Sequence, residues 1–412
     1  MRNKIVCLSL SLLLLLFVVP LAKAGNEGTT IGDLEKRIQA LEKQLGQLKV
    51  EKEKAKKEEV TGFRPLKAEW LELGGKLEYD FVKTERENDS ATFGETTNTP
   101  DARFFLDKVD LKIKANISKN IYLKGTLEAK TSGTTVHTWE AHFGGAPLWF
   151  KVGLFSRSAK GIDAYSRKTS THSLNDTSFW RDHEQGVMLG GECSNFAWRL
   201  SYSDGLDLAK KQPATDASFK MLQDNKLGKP GKHEVGVALR YRMELAEKNT
   251  LDLTGFGYWD KLTAGEISGT QTNIQTAIGS SDSQKRLGGR LTWKVGDALL
   301  AYERVKADDG SLERTAWFAQ ASYKYRFANP LLADKYITAV EPVVRYGEID
   351  LDNVIQATNQ PETWNRDKLT LGLIFDVYKN VKVKTEYYFN GETTGGKEPN
   401  NDEFLMQLLV NF

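Results

Sequence analysis

Lysine and arginine recur at alternate positions along much of this 412-residue chain, and what they offer is fixed positive charge rather than bond making. Lys112 and Lys114 alternate with Leu111 and Ile113, Lys124 follows Leu123, Lys151 follows Phe150, Arg240 and Arg242 flank Tyr241, and Arg290 precedes Leu291. Lys76, Lys108 and Lys130 repeat the arrangement. A second set, Arg157, Lys160, Arg167, Lys168 and Arg181, crowds an irregular stretch between Ser156 and His183. Rows of such groups around water favour anions, because fixed charge replaces part of the hydration an ion gives up in a narrow space. Acids share the register, among them Glu72, Glu78, Asp80, Asp110, Glu128, Glu234, Asp252, Glu303, Glu341 and Glu386. Pairing with acids on neighbouring strands is therefore the alternative use of the same bases.

Chemistry of other kinds is thinly represented. No Walker loop, nucleophile elbow, zinc-protease helix or dinucleotide fingerprint occurs, so no enzymatic activity and no cofactor are expected. His137 and His142 are an odd number apart and, on one regular strand, point to opposite faces; they would not share a metal. Asp282 and Asp308-Asp309-Gly310 are loop acids of the sort that hold Ca²⁺ at a surface. Cys7 and Cys193 are the two cysteines, and Cys7 falls in a leader-like segment, leaving one thiol and no internal disulfide. With 57 basic against 55 acidic residues the net charge is +2, which lacks the basic excess of a nucleic-acid binder.

The elements that would carry these charges are strands. In Trp70–Lys83, Leu71, Leu73, Leu77, Tyr79 and Phe81 share one face, while Glu72, Lys76, Glu78 and Asp80 share the other. The alternation recurs through Val109–Lys114, Ile121–Lys130, Leu148–Leu154, Phe196–Tyr202, Val235–Leu245, Leu251–Trp259, Leu287–Val295, Thr315–Phe327, Val340–Tyr346, Leu369–Val377, Val381–Phe389 and Phe404–Phe412. Weaker runs lie around Trp139, Val187 and Leu300. About sixteen strands result, with short links near Lys119, Pro147, Ser194, Lys248, Gly296 and Asn380 alternating with long polar ones. Mean hydropathy is −0.46, which excludes a helical membrane bundle but not a barrel, where only alternate residues meet lipid. The fold expected is an all-β transmembrane barrel over residues 61–412. Its apolar register, with aromatics near strand ends such as Tyr202, Trp259, Trp293, Tyr323 and Phe389, would face outer-membrane lipid, and its polar register would face water. The stretch 156–183 either folds into the lumen or caps it from outside.

Ahead of the barrel, Arg2 and Lys4 precede an apolar run from Ile5 to Val19 and the small-x-small stretch Ala22-Lys23-Ala24. That order reads as a signal peptide over residues 1–24. Residues 25–60 carry Ile31, Leu34, Ile38, Leu41, Leu45 and Leu48 at alternating spacings of three and four, the a and d positions of a short coiled-coil helix, followed by a charged linker. Three heptads are marginal alone. Self-association through the seam, or packing as one amphipathic helix on the barrel mouth, would cover it.

The stretch Val152-Gly153-Leu154-Phe155-Ser156-Arg157, then Ser173-Leu174-Asn175, Gln185-Gly186-Val187-Met188-Leu189-Gly190-Gly191, Trp198 and Asp204-Gly205-Leu206, resembles the phosphate-selective porin O and P family. The likeness spans about Lys151–Leu206. It implies a sixteen-stranded, usually trimeric outer-membrane barrel of a Gram-negative bacterium, an inward-folded basic loop, and passive diffusion of small anions such as phosphate. An N-terminal coiled coil also occurs in such porins, and would lie in the periplasm. The last strand, with Phe404, Met406, Leu408, Val410 and Phe412 on one face, resembles the terminal signal read by the barrel assembly machinery. The alternative function is a barrel that houses a partner such as a periplasmic multihaem cytochrome; the chain has no haem-attachment CxxCH of its own.

Overall fold

The computed structural model describes residues 70–84, 102–180, 183–211, 221–227, 232–264, 267, 276–277, 281–331, 336–352, 355–356, 362–394 and 401–412. The expected signal peptide, coiled coil and linker lie outside these residues.

Alternation builds the molecule. Its strands are β1 (Leu71–Thr84), β2 (Ala102–Ser118), β3 (Ile121–Lys130), β4 (Gly133–Gly145), β5 (Leu148–Ser156), β6 (His183–Cys193), β7 (Phe196–Ser203) and β8 (Glu234–Ala246). There follow β9 (Asn249–Lys261), β10 (Ser283–Val295), β11 (Ala298–Asp309), β12 (Leu312–Tyr323, resumed as Tyr325–Leu331), β13 (Ile337–Asp352), β14 (Glu362–Tyr378), β15 (Val381–Thr394) and β16 (Glu403–Asn411). Each pairs antiparallel with its chain neighbours, and β1 pairs with β16 from Lys76↔Asn411 to Thr84↔Glu403, closing a 16-strand barrel. Closure leaves no edge with unpaired backbone, which lipid would not tolerate. Leu123, Trp139, Leu200, Tyr202, Leu239, Tyr241, Leu253, Trp259, Leu287, Trp293, Tyr323 and Leu371 are all exposed on the outer face, as the apolar register requires.

The seam is tight. Gly75 exchanges backbone hydrogen bonds with Phe412, at 2.7 and 3.0 Å. A Cβ at Gly75 would stand 2.4 Å from the Asp110 carbonyl oxygen and 2.6 Å from the Phe412 ring, so glycine is required for the terminal aromatic to lie across β1.

Links at one rim are short throughout most of its circumference, as the sequence implies. The other rim carries the long connections but also two tight turns, at Thr131-Ser132 and at Gly310-Ser311. Gly310 takes a φ of 66°, which permits the second. The adjoining Asp309 is not a surface acid available to Ca²⁺: it is buried at the end of β11 and bound by Arg286 and Arg314.

The inner face departs from uniform polarity. Ala238, Phe256, Tyr258, Val305, Ala307, Ala316, Ile349 and Leu351 occupy the inward register and are buried against Ala159, Ile162, Leu174, Phe179, Trp180, Leu208, Met221 and Leu222. The last eight come from two inward segments, the β5–β6 connection and a hairpin of Leu206–Lys211 with Met221–Leu227 in the β7–β8 connection. One sector of the lumen is therefore a packed apolar core.

Candidate functional site

The β5–β6 connection folds inward and crosses the lumen. At its start, Arg157 is buried: Nε donates to Glu184 at 2.7 Å, Nη2 to Glu234 at 2.6 Å and Nη1 to the Phe179 carbonyl at 3.0 Å, with Asp224 as a further partner. Arg199 then collects the carbonyls of Ser158, Lys160 and Gly161 at 3.2, 2.9 and 2.9 Å. The Tyr258 hydroxyl accepts from the Ala159 amide at 2.7 Å. Further along, Arg290 bridges Asp163 at 3.0 Å and Glu303 at 2.7 Å. Arg345 donates to Thr169 Oγ1 at 2.7 Å and the Thr171 carbonyl at 3.2 Å. On the far wall Glu386 accepts from the Ser170 amide at 2.5 Å and Ser170 Oγ reaches Gln407 at 2.7 Å. The loop ends in a π-helical turn, Asp176–Trp180, whose Trp180 Nε1 donates to Glu303 at 2.8 Å.

The hairpin is locked to this loop. Asp224 receives Arg157, Arg286 at 2.5 and 2.7 Å, and Arg314 at 2.8 Å. Burial alone would push the Asp224 carboxyl up, but Arg286, Arg314 and Arg157 hold it well below the usual carboxylate range. Asp176 in the loop behaves alike: burial opposes its charge, while His172, Lys160 and Arg167 overcome that and hold it well below its ordinary value.

What remains open is a passage on the β1–β4 side. A cavity of about 520 Å³ lies between Lys160, Arg167, His172 and Asp176 of the loop and Lys76, Lys108, Asp110, Glu128, Lys130 and His137 of the wall. Its charges form pairs, yet the two signs are not equally wet. Lys130 is 42% exposed against 8% for its partner Glu128, Lys160 is 36% exposed against 13% for Asp176, and Lys108 is 22% exposed against the same 8% for Glu128. Long basic stems carry their charge out to water while the shorter carboxylates stay against the wall. The wetted surface is cationic, in the same sense as the lining's excess of six bases over four acids.

The expected site residues divide. Lys160 and Arg167 line the passage, Lys168 pairs with Glu341 at 2.9 Å, and Lys112 is exposed on the inward register of β2. Lys114, Lys124 and Lys151 stand toward the short-turn rim, paired with Glu72, Glu140 and Glu140 at 3.3, 3.4 and 3.0 Å. Arg242 grips Asp252 through two bonds of 2.7 and 2.8 Å. Arg157 and Arg240 are buried away from the passage, Arg157 in the grip of acids and a carbonyl, which corrects the expectation for these two; Arg290 is also buried and held by Glu303 and Asp163, yet it lines the passage. Arg181 and the heptad residues Ile31, Leu34, Ile38, Leu41, Leu45 and Leu48 lie outside the described residues.

The two histidines need a second correction. A bulge sets Thr126 opposite Thr138 but Leu127 opposite Val136, so His137 is the extra residue of β4. The added residue cancels the odd spacing, and both rings turn inward: His137 lies 3.9 Å from Glu128, and His142 stacks on Tyr122 with centroids 4.5 Å apart. They remain in separate clusters, and no metal-holding group occurs among the described residues. His172 and Asp224 were not singled out in the sequence; each sits in an aperiodic segment where only contact in space reveals a role.

No family model and no curated protein matches the sequence. Among solved structures, the outer membrane channel DcaP of Acinetobacter baumannii is 10% identical, with 85% of this chain and 100% of that chain covered at a TM-score of 0.57. OmpF of Salmonella typhi, in complex with daunomycin, is 12% identical over 83% of this chain and 97% of that chain, TM-score 0.51. An anion-selective porin from Comamonas acidovorans is 12% identical over 83% and 99%, TM-score 0.50. At such identities the likeness is one of fold, and nothing in it singles out the phosphate-selective family. The chain has an outer-membrane porin-like fold.

Proposed function

We propose that this protein is an outer-membrane porin through which small solutes diffuse passively, with a preference for anions. The observation that carries the reading is the unequal wetting of the paired charges: ammonium and guanidinium groups stand in the passage while their carboxylate partners are recessed. An anion meets the near charge first, and in a confined space that difference in distance adds to the modest excess of bases along the passage. The fold likeness to an anion-selective porin supports the same sign. No catalytic step is invoked.

Purified protein in planar bilayers tests this. A reversal potential of anion sign in a KCl gradient is expected, and exchanging Lys108 and Lys160 for Glu should move it toward the cation side. Absence of any conductance would sink the porin reading. Inorganic phosphate as the preferred solute is its narrower form, and added phosphate should then depress the chloride current. A homotrimer held in part by the heptads belongs to the same reading; a crosslinking ladder unchanged on removal of Ile31–Leu48 would refute that role for the heptads. A conduit threaded by a cytochrome gains no support, because the chain's own loop and hairpin occupy the lumen.

A further inference from the structure

The outer wall carries a feature that the passage does not use. On the lipid-facing register, Leu239, Gly255, Gly289 and Arg304 stand side by side on β8, β9, β10 and β11. Four adjacent strands set that row across about 14 Å. Nothing lies within 4 Å of a Cβ built at Gly255, and one at Gly289 would meet only the Thr254 carbonyl oxygen at 3.3 Å. The two glycines thus open a trough of about 610 Å³ whose outward rim includes Phe196, Leu239, Leu253, Leu291 and Tyr302.

Arg304 closes one end of this trough. It is exposed on the lipid-facing register, and among the described residues it has no ion pair or hydrogen bond. The outward acid two strands on, Glu348, is already engaged, accepting from Trp317 Nε1 at 3.0 Å and from the Tyr346 hydroxyl at 2.6 Å. Tyr302, Trp317 and Tyr346 pack beside it in tilted and edge-on contacts at centroid distances of 6.2 and 5.6 Å, an aromatic band of the kind that marks the headgroup level. A cation at that depth without a protein partner calls for an anion supplied by the membrane, and a guanidinium suits phosphate because its fork matches two oxygens.

We propose that this trough is a lipid-binding site: one acyl chain lies over Gly255 and Gly289 against the leucine rim, and the phosphate of the same lipid is held by Arg304. Smoothness of the trough and charge at its end are separate requirements, and only an anionic lipid meets both. Neither residue faces the lumen, so the site is independent of what the passage conducts.

Native mass spectrometry of the full-length protein in mild detergent is the test, with dioleoyl phosphatidylglycerol as probe and dioleoylglycerol as its phosphate-free counterpart. Phosphatidylglycerol adducts should survive activation and diacylglycerol adducts should not. Arg304→Gln should lower phosphatidylglycerol occupancy about tenfold, in line with loss of one charge-assisted contact. Gly255→Leu, which has room for its side chain, should lower it with Arg304 intact. Excess inorganic phosphate should compete poorly, since it lacks the chain. Single-channel conductance of both variants should match the parent and so show that the barrel is formed. Undiminished phosphatidylglycerol binding by Arg304→Gln would overturn the proposal. So would a change in oligomeric state on Gly255→Leu, which would make the trough a contact between copies of the chain.

Discussion

Asp224 shows how much one carboxylate can organise. Its two oxygens meet guanidinium groups from the loop (Arg157), from β10 (Arg286) and from β12 (Arg314), all buried. Replacing it by Asn leaves three buried cations short of an acid, which costs about 3–5 kcal/mol by the measure of broken buried pairs. The expected result for Asp224→Asn is a lower unfolding midpoint and frequent openings to a larger conductance, read by thermal melts and by bilayer recording. Acid should act differently from mutation. A carboxylate whose folded value is depressed stabilises fully above its unfolded value, near about 3.9, and loses that contribution only as pH falls through the lower folded value. Titration from pH 7 to 4 should therefore leave Asp224 charged and its pairs with Arg286 and Arg314 made, so the gap in unfolding midpoint between the parent and Asp224→Asn should stay constant over that range. None of this was legible in the residue itself. Asp224 has no period and no motif around it, and Arg157, which does stand out in the sequence, has the opposite role from the one its charge suggests. Residue type announces a cation; only the fold says whether acids have already claimed it.

At the scale of elements the strands were legible because their physics is local. Each must present apolar atoms to lipid and polar atoms inward, and a period of two records that directly. The tight turns at Thr131-Ser132 and Gly310-Ser311 break the expected alternation of short and long links, and two residues between alternating runs scarcely interrupt the pattern. The inward core left a fainter mark: Phe256 and Tyr258 stand on the same register as Asp252 and Thr254, and Val305 and Ala307 continue from Glu303. Apolar residues on a water-facing register are a signal that something covers them. If the loop and hairpin are that cover, replacing 160–180 by a short glycine linker should raise single-channel conductance several-fold. It should also expose Phe256 and Tyr258 to the lumen, which quenching of protein fluorescence by a permeant quencher would register. Unchanged conductance would show that the segment does not restrict the passage.

For the whole molecule the decisive event is closure. β1 and β16 meet with Gly75 under Phe412, and either a side chain at Gly75 or loss of the terminal ring disturbs the pairing that joins the first described strand to the last. Gly75→Leu and deletion of Phe412 should both reduce the fraction of protein that runs as the compact, heat-modifiable form on unheated gels, Gly75→Leu through a clash with backbone and the truncation through a missing anchor. Equal yields of compact form from all three proteins would place the closing energy elsewhere on the seam.

The inward core also makes the barrel mechanically lopsided. From β8 to β13 the wall is buttressed by packed side chains, and from β1 to β4 it is one sheet thick with water behind it. Changes in roundness then concentrate in the unsupported arc, which is the arc that bounds the open space. Squeezing the cylinder would modulate the bore rather than the packed half. Lateral pressure in the bilayer would accordingly register in current noise before it altered the mean.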